Sequence, residues 1–182
     1  MFNNVKNDFK RFASKTSYKG RLRIFFIVLT YQGFQAMVCY RLSRWLVKHR
    51  VPLLNILVQR WAEMTTGISI PPAAIGKSLM IEHFGGIVIN ASAVVGDNCT
   101  IAHGVTLGNK IPGGGAPNIG NNVYICTGAK VLGEITIGDN CIIGANAVVL
   151  KSAEANSVLV GIPAKVIKKV DPQQHGSFID ED

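Results

Sequence analysis

Acidic residues are nearly missing from the first third of this 182-residue chain. Residues 1–60 hold 12 Lys and Arg against the single acid Asp8, whereas residues 61–182 hold 7 basic and 10 acidic residues. The front is therefore about +11 and the remainder about −3. Such a front implies an anionic partner (a membrane surface, a nucleic acid or a phosphorylated substrate) or else a solvated basic helical face. No basic-aromatic module accompanies the charge, which argues against nucleic acid. Cysteine is also sparse: Cys39, Cys99, Cys126 and Cys141 form no C-x-x-C pair, and no signal-peptide pattern opens the chain. A reducing cytoplasm is the expected location. Long apolar runs are absent too. Residues 24–40 run 17 positions without a charge between Arg23 and Arg41 and contain Gln32, Gly33 and Gln35. That is short for a membrane span and reads as a helix that buries an apolar face against a neighbour or lies on a membrane.

What is present is a period of six. From Ile119 the chain reads IGNNVY, ICTGAK, VLGEIT, IGDNCI, IGANAV, VLKSAE, with an aliphatic residue opening each unit. The fourth residue after each of the first five openings is Val123, Ala129, Ile135, Cys141 or Ala147. Ile89, Val95, Ile101 and Leu107 form an earlier run in step, followed by Ala93, Cys99 and Val105, and Ile75 and Ile81 begin a third that slips by two residues before Ile89. Neither a helix of period 3.6 nor a strand of period 2 accounts for this repeat. A short strand and a tight turn account for it, three units closing one coil of a parallel β-helix. Gly96-Asp97-Asn98, Gly120-Asn121-Asn122 and Gly138-Asp139-Asn140 are the expected turns, their residues being tolerant of left-handed backbone angles. Cys99 and Cys141 then read as small buried hydrophobes.

The fold class expected is mostly β, a left-handed parallel β-helix over residues 67–169 preceded by a small α-helical N-terminal segment over residues 1–66. Residues 31–63 read as two helices broken at Pro52, and residues 1–20 as a loosely held basic arm or short helix. Residues 170–182 form an acidic tail that the sequence leaves flexible. The Gly-rich stretch 108–118 leaves the repeat and reads as a loop thrown out from the coil, placed to wall or cover a site.

These motifs resemble a family. P-P-A-A-I-G-K-S at 71–78, I-E-H at 81–83, G-V-T-L-G-N at 104–109, T-G-A-K-V-L-G at 127–133 and G-I-P-A-K at 161–165 are similar to the hexapeptide-repeat acetyltransferases, in the serine acetyltransferase-like branch. The preceding C-Y-R-L-S-R-W-L at 39–46 matches that branch as well. The resemblance implies an acetyl-CoA-dependent O-acetyltransferase working as a homotrimer with sites between subunits, and no metal. His83 falls at the family's catalytic histidine, and a histidine can take a proton from a hydroxyl near neutral pH. Gly108, Asn109, Thr127 and Ala145 match cofactor-lining positions, and Lys165 and Lys168 the phosphate contacts.

The departures from that branch redirect the substrate. Ser69 and Pro71 stand where serine acetyltransferases carry an orienting Asp and a His, and Gly115 and Ala116 replace the Arg-His pair that clamps the serine carboxylate. His103 appears where a polar, non-basic residue is usual. The set I-E-H, I-V-I-N, H-G-V-T and G-N looks closer to the O-acetyltransferases of capsule, exopolysaccharide and colanic-acid assembly. The expected acceptor is thus a glycan or lipid-linked sugar, with His83, His103 and Glu82 as catalytic candidates and serine as the alternative. Peripheral contact of the basic front with the membrane follows from that reading. A metal-dependent hydratase on the same fold lacks its third imidazole, since only His83 and His103 lie in the repeats. A non-enzymatic scaffold is the remaining alternative.

Overall fold

An aliphatic residue every six positions can face one interior only if each unit turns through a third of a circle. The computed structural model, which describes residues 2–14, 24, 26, 27 and 30–170, does this. Its strands build three parallel faces. The first stacks β1 (Ile68–Ser69), β4 (Ile87–Ile89), β7 (Thr106–Gly108), β10 (Lys130–Leu132) and β13 (Val148–Val149). The second stacks β2 (Ala74–Ile75), β5 (Val94–Val95), β8 (Asn118–Ile119) and β11 (Thr136–Ile137). The third stacks β3 (Met80–Glu82), β6 (Thr100–Ala102), β9 (Tyr124–Ile125), β12 (Ile142–Ile143) and β14 (Ser157–Gly161), and is closed by antiparallel β15 (Ala164–Lys169).

Register measures each coil. Thr106 pairs with Val88, 18 positions before it, and with Lys130, 24 positions after it; the six extra residues are the loop between β7 and β8. Glu82 pairs with Ala102, 20 positions on, because the two-residue slip seen in sequence falls at residues 83–86. The repeat residues pile into rows: Ile81, Ile101, Ile125 and Ile143 are each at most 2 % exposed, and Cys99, Val123, Ala129, Cys141 and Ala147 are fully buried. Ile135, where the loop folds back, is only partly buried. Burial drives the Cys99 thiol up to about 11 and raises that of Cys141, so neither is a nucleophile at neutral pH.

The turns work differently from the expectation. Asn98, Asn122 and Asn140 alone carry the left-handed angle, at φ 58°, 54° and 58°. Gly96 is required for another reason: a Cβ there would lie 2.5 Å from the Gly120 carbonyl oxygen of the next coil. Glycine at the first turn position thus sets how closely the coils stack, and asparagine at the third makes the corner. The asparagines then link coil to coil, Asn122 Nδ2 donating to Asn140 Oδ1 at 3.1 Å and Asn140 Nδ2 to Asn156 Oδ1 at 2.9 Å.

Three described helices close the open end of the stack: α1 (Phe2–Ser14), α2 (Gln32–Lys48) and α3 (Pro52–Thr66). Pro52 opens α3 and Gly67, at φ 64°, ends it. The arm expected to be loosely held is docked, since Phe12 is fully buried against Phe34 of α2 at a ring distance of 5.5 Å. Part of the basic front is consumed inside the protein. Arg41 binds Asp8 through both carboxylate oxygens (2.9 and 3.2 Å) and donates to the carbonyls of Ile75 and Gly76, while Arg11 reaches those of Ser78 and Cys99. Asp8, the one acid of the first 60 residues, is the buried counter-charge of Arg41. The uncharged stretch from residue 24 enters α2 at Gln32 and buries Phe34, Ala36, Met37 and Tyr40 in the core shared with the first coil. Among the described residues no helix is long and apolar enough to cross a membrane. Residues 15–23 and 171–182, with the acidic tail, lie outside the described residues.

Gly96→Ala forces a Cβ into a backbone carbonyl and is expected to cost about 1–3 kcal/mol, whereas Asn98→Gly, which keeps the left-handed corner available, costs less than about 1 kcal/mol. Urea unfolding followed by circular dichroism ranks the two.

Candidate active site

The corner that follows the third face collects most of the predicted site. Ile81 pairs with Ile101, Ile101 with Ile125, and Ile125 with Ile143. Carried two residues further, that register stacks His83, His103, Thr127 and Ala145 in one column. Backbone bonds confirm the stacking from His103 onward, Gly128 N donating to His103 O at 2.9 Å and Asn146 N to Thr127 O at 2.8 Å; at the first step Gly104 N donates instead to Gly85 O at 3.0 Å, two residues past His83. Thr127 is half-buried, and both histidines and Ala145 are exposed, so the column is a solvent-facing ridge.

His83 sits in the longest of these corners. Five residues, 83–87, separate the paired positions Glu82 and Val88, where three, 103–105, separate their partners Ala102 and Thr106. The extra pair puts His83 at φ 59°, a left-handed angle uncommon for a side chain this size. Gly86 (φ 67°) then returns the chain to register, its α-carbon side pressed against Gly104, where a Cβ would meet the Gly104 Cα at 3.3 Å. The slip therefore lifts one imidazole out of the repeat and leaves the next beneath it. The two rings stand edge to face, 5.7 Å between centroids.

Glu82 does not lean on either histidine. Its Oε2 accepts the Tyr124 hydroxyl at 2.5 Å, from two coils away. Its charge, after burial, also raises the nearby Cys126 thiol. Tyr124 is one residue that the sequence reading missed; its only signal was an aromatic side chain on the outward position of a repeat strand. Lys130 is a second, donating from β10 to the carbonyl of Gly104 directly after His103. Ser69, at the place of the family's orienting Asp, donates instead to Glu63 Oε1 at 2.8 Å.

The remaining predicted residues occupy other places. Lys165 pairs in register with Val160, beside the Gly161 turn that tops the column, while Lys168 pairs with Val158 at the far end of β15. Gly108 and Asn109 lie across the first face, at the corner where the loop departs, with Asn90 Nδ2 donating to Asn109 Oδ1 at 2.9 Å. Within one chain the strand width of the first face, about 10 Å for three residues, separates them from the histidines. The loop does fold into a wall: it borders a recess of about 240 Å³ with Leu132, Glu134, Ile135 and Leu150. A Cβ on Gly115 would lie 2.5 Å from the Glu134 Cβ, so any side chain at position 115 collides with Glu134 as it stands. Among the described residues no group of three His, Cys, Asp or Glu is placed to hold a metal ion.

A stack of hexapeptide coils with a histidine-bearing ridge defines the left-handed β-helix transferases, and residues 116–151 match the family described as bacterial transferase hexapeptide (six repeats). The chain belongs, within that class, to the serine acetyltransferase family. It is 42% identical over 163 residues to a serine acetyltransferase of Synechococcus elongatus, covering 86% of this chain and 67% of that one. A serine acetyltransferase of Helicobacter pylori is 45% identical over 146 residues, or 79% of this chain and 85% of its own. The crystal structure of the Brucella abortus serine acetyltransferase in complex with coenzyme A superposes with a TM-score of 0.85 at 33% identity, over 93% of this chain and 68% of that one. The Neisseria gonorrhoeae enzyme in complex with serine gives 0.82 at 32%, over 92% and 69%. The protein is accordingly an acetyl-CoA-dependent O-acetyltransferase. These relatives correct the branch read from I-E-H and H-G-V-T: they are named serine acetyltransferases, not polysaccharide enzymes.

Tyr124→Phe frees the Glu82 carboxylate from its one phenolic donor. It is expected to lower kcat/KM for acetyl transfer by about 10-fold, the loss of one hydrogen bond to a charged group, with the unfolding midpoint little changed. Steady-state assay of thiol release checks both the size and the selectivity of that effect.

Proposed function

We propose that the protein moves acetyl from acetyl-CoA directly to an acceptor hydroxyl, with His83 as general base. The observation that supports this is the column itself. An exposed imidazole on a strained corner stands at one end, and the small residues Thr127 and Ala145 continue the same ridge. The thioester needs no activation, so the residues have two tasks. His83 takes the hydroxyl proton as the O–C bond forms and the C–S bond breaks, and the imidazolium returns that proton to the departing thiolate. His103, set edge to face beside it, orients the acceptor or donates to the oxyanion. Glu82, fixed by Tyr124, faces the acceptor rather than the base. Thr127 and Ala145 offer backbone and little side-chain bulk to the pantetheine arm, and Lys165 meets the phosphates, with Lys168 farther along the strand. Gly108 and Asn109 complete the site only from a neighbouring chain, which favours a homotrimer with sites between subunits. Cytoplasmic location suits a chain whose donor is acetyl-CoA and whose thiols are free.

The names of the relatives favour L-serine as the acceptor, and this is the first reading. One observation favours a second, a sugar hydroxyl of a surface polysaccharide or its precursor. Positions 115 and 116 are Gly and Ala, without the Arg-His pair that would clamp a carboxylate, and Glu134 fills the space beside Gly115. A carboxylate there repels an amino-acid carboxylate and accepts hydrogen bonds from neutral hydroxyls.

Purified protein with acetyl-CoA and a panel of L-serine, sugars, nucleotide sugars and lipid-linked glycans decides between them by CoA release and mapping of the acetylated position. Saturable release with serine supports the first reading; an inert serine and an active sugar support the second; no turnover with any acceptor leaves a binding scaffold. In either enzymatic case His83→Ala is expected to lower kcat/KM by about 10²–10⁴-fold with the fold intact, and full activity in that variant removes His83 from the role.

A further inference from the structure

Helix α3 is built inside out. Two of its polar side chains, Asn55 and Gln59, face α2: Ser43 Oγ donates to Asn55 Oδ1 at 2.5 Å, and Gln59 Nε2 donates to the same oxygen at 2.9 Å and to Ser43 Oγ at 3.1 Å. Its buried residues are only Ala62 and Thr66. The bulky apolar ones point away from the protein: Leu53 is 71 % exposed, Leu57 58 %, Trp61 55 % and Met64 85 %. Spaced at four, four and three, they form one continuous stripe along the helix, joined by Leu54 at its start. An open apolar recess of about 570 Å³ runs beside that stripe, floored by Cys39, Leu42 and Val58. A helix that turns amide and hydroxyl groups inward and leucine outward is not shaped for water.

The charge around the stripe says what covers it. Lys48, His49 and Arg50 are exposed at the turn joining α2 to α3, directly before the exposed Val51, Leu53 and Leu54, and Arg60 is exposed along α3. From residue 9 to residue 62 the sequence contains no Asp or Glu at all. Arg11, Arg41 and Arg44 donate to backbone carbonyls, whereas Lys48, His49 and Arg50 stand exposed at the end of the stripe, with Lys6 and Lys10 exposed on α1. Arg60 is paired with Glu63 at 3.4 Å, but a second copy of the chain meeting this face two-fold would bring Lys48 and Arg50 against their own equivalents with no acid in the turn to offset them. An anionic bilayer offers what the face lacks, acyl chains for the leucines and lipid phosphates for the cations.

We propose that α3 and the turn before it form a docking site for an anionic membrane surface, α3 lying along the interface with Leu53, Leu57, Trp61 and Met64 below the headgroups. The site is remote in sequence from the histidine column and holds whichever acceptor the enzyme uses. The test is co-sedimentation of the full-length protein with vesicles of phosphatidylcholine alone and of phosphatidylcholine with about one-third phosphatidylglycerol. Binding is expected on the anionic vesicles, weakening as salt rises, and at least about tenfold weaker on the neutral ones. The pairs Leu57→Ser with Trp61→Ser and Lys48→Glu with Arg50→Glu should each reduce binding by about tenfold or more, with acetyl-CoA turnover in solution unchanged. Absence of binding to anionic vesicles at low salt overturns the proposal, as does binding that the serine pair leaves intact. So does sedimentation velocity in which the wild type has twice the mass of the serine variant, since the face is then a contact between copies.

Discussion

Everything in this molecule depends on one geometric constraint: each coil must return to lie directly over the one before. Parallel pairing between coils supplies the backbone hydrogen bonds, and the aliphatic rows supply the burial, but neither tolerates a coil of arbitrary height. Gly96 fixes the spacing by leaving no Cβ between itself and the Gly120 carbonyl, and the asparagine amides repeat the linkage from coil to coil. The open end of such a stack exposes unpaired strand backbone, a template for unwanted pairing. Arg41, Arg11 and Arg44 close it by donating to first-coil carbonyls. Arg41 can be buried there because Asp8 accompanies it.

The same constraint assembles the candidate site. Once register is set, residues 20, 24 and 18 positions apart in sequence share one corner, and His83, His103, Thr127 and Ala145 become neighbours without any loop having to bring them together. The departures from strict repetition shape that site. Two extra residues at 83–86 raise His83 from the ridge, and six extra residues after Asn109 throw out the loop whose Gly115 rests on Glu134. A uniform stack would be a rod; its two irregularities give it a raised imidazole and a wall.

Much of this was legible in the sequence because hexapeptide periodicity is a local signal with a single structural solution. The rows of Ile, Val and small residues, the break at Pro52, and the looping out of residues 108–118 follow from spacing alone. His83, His103 and the Thr127–Ala145 pair follow from the motifs. What was not legible depended on partners distant in sequence. Nothing near Asp8 announces Arg41, nothing near Glu82 announces Tyr124, and nothing in the basic front announces that Arg11 and Arg41 turn in. Two residue types were read for the wrong property: Gly96 and its equivalents serve close approach, and the asparagines carry the backbone angle. The branch of the family was not legible in the departures at Gly115 and Ala116, because they weigh less than the overall likeness, which runs to serine acetyltransferases at more than 40% identity.

The central claim is that one ridge, His83 through Ala145, holds both the reacting thioester and the base. A structure determined with coenzyme A bound tests it most directly. The pantetheine arm is predicted to run along the ridge past Ala145 and Thr127, with the thiol within reach of the His83 imidazole. A thiol resting at any other corner of the stack, away from both histidines, would contradict the account.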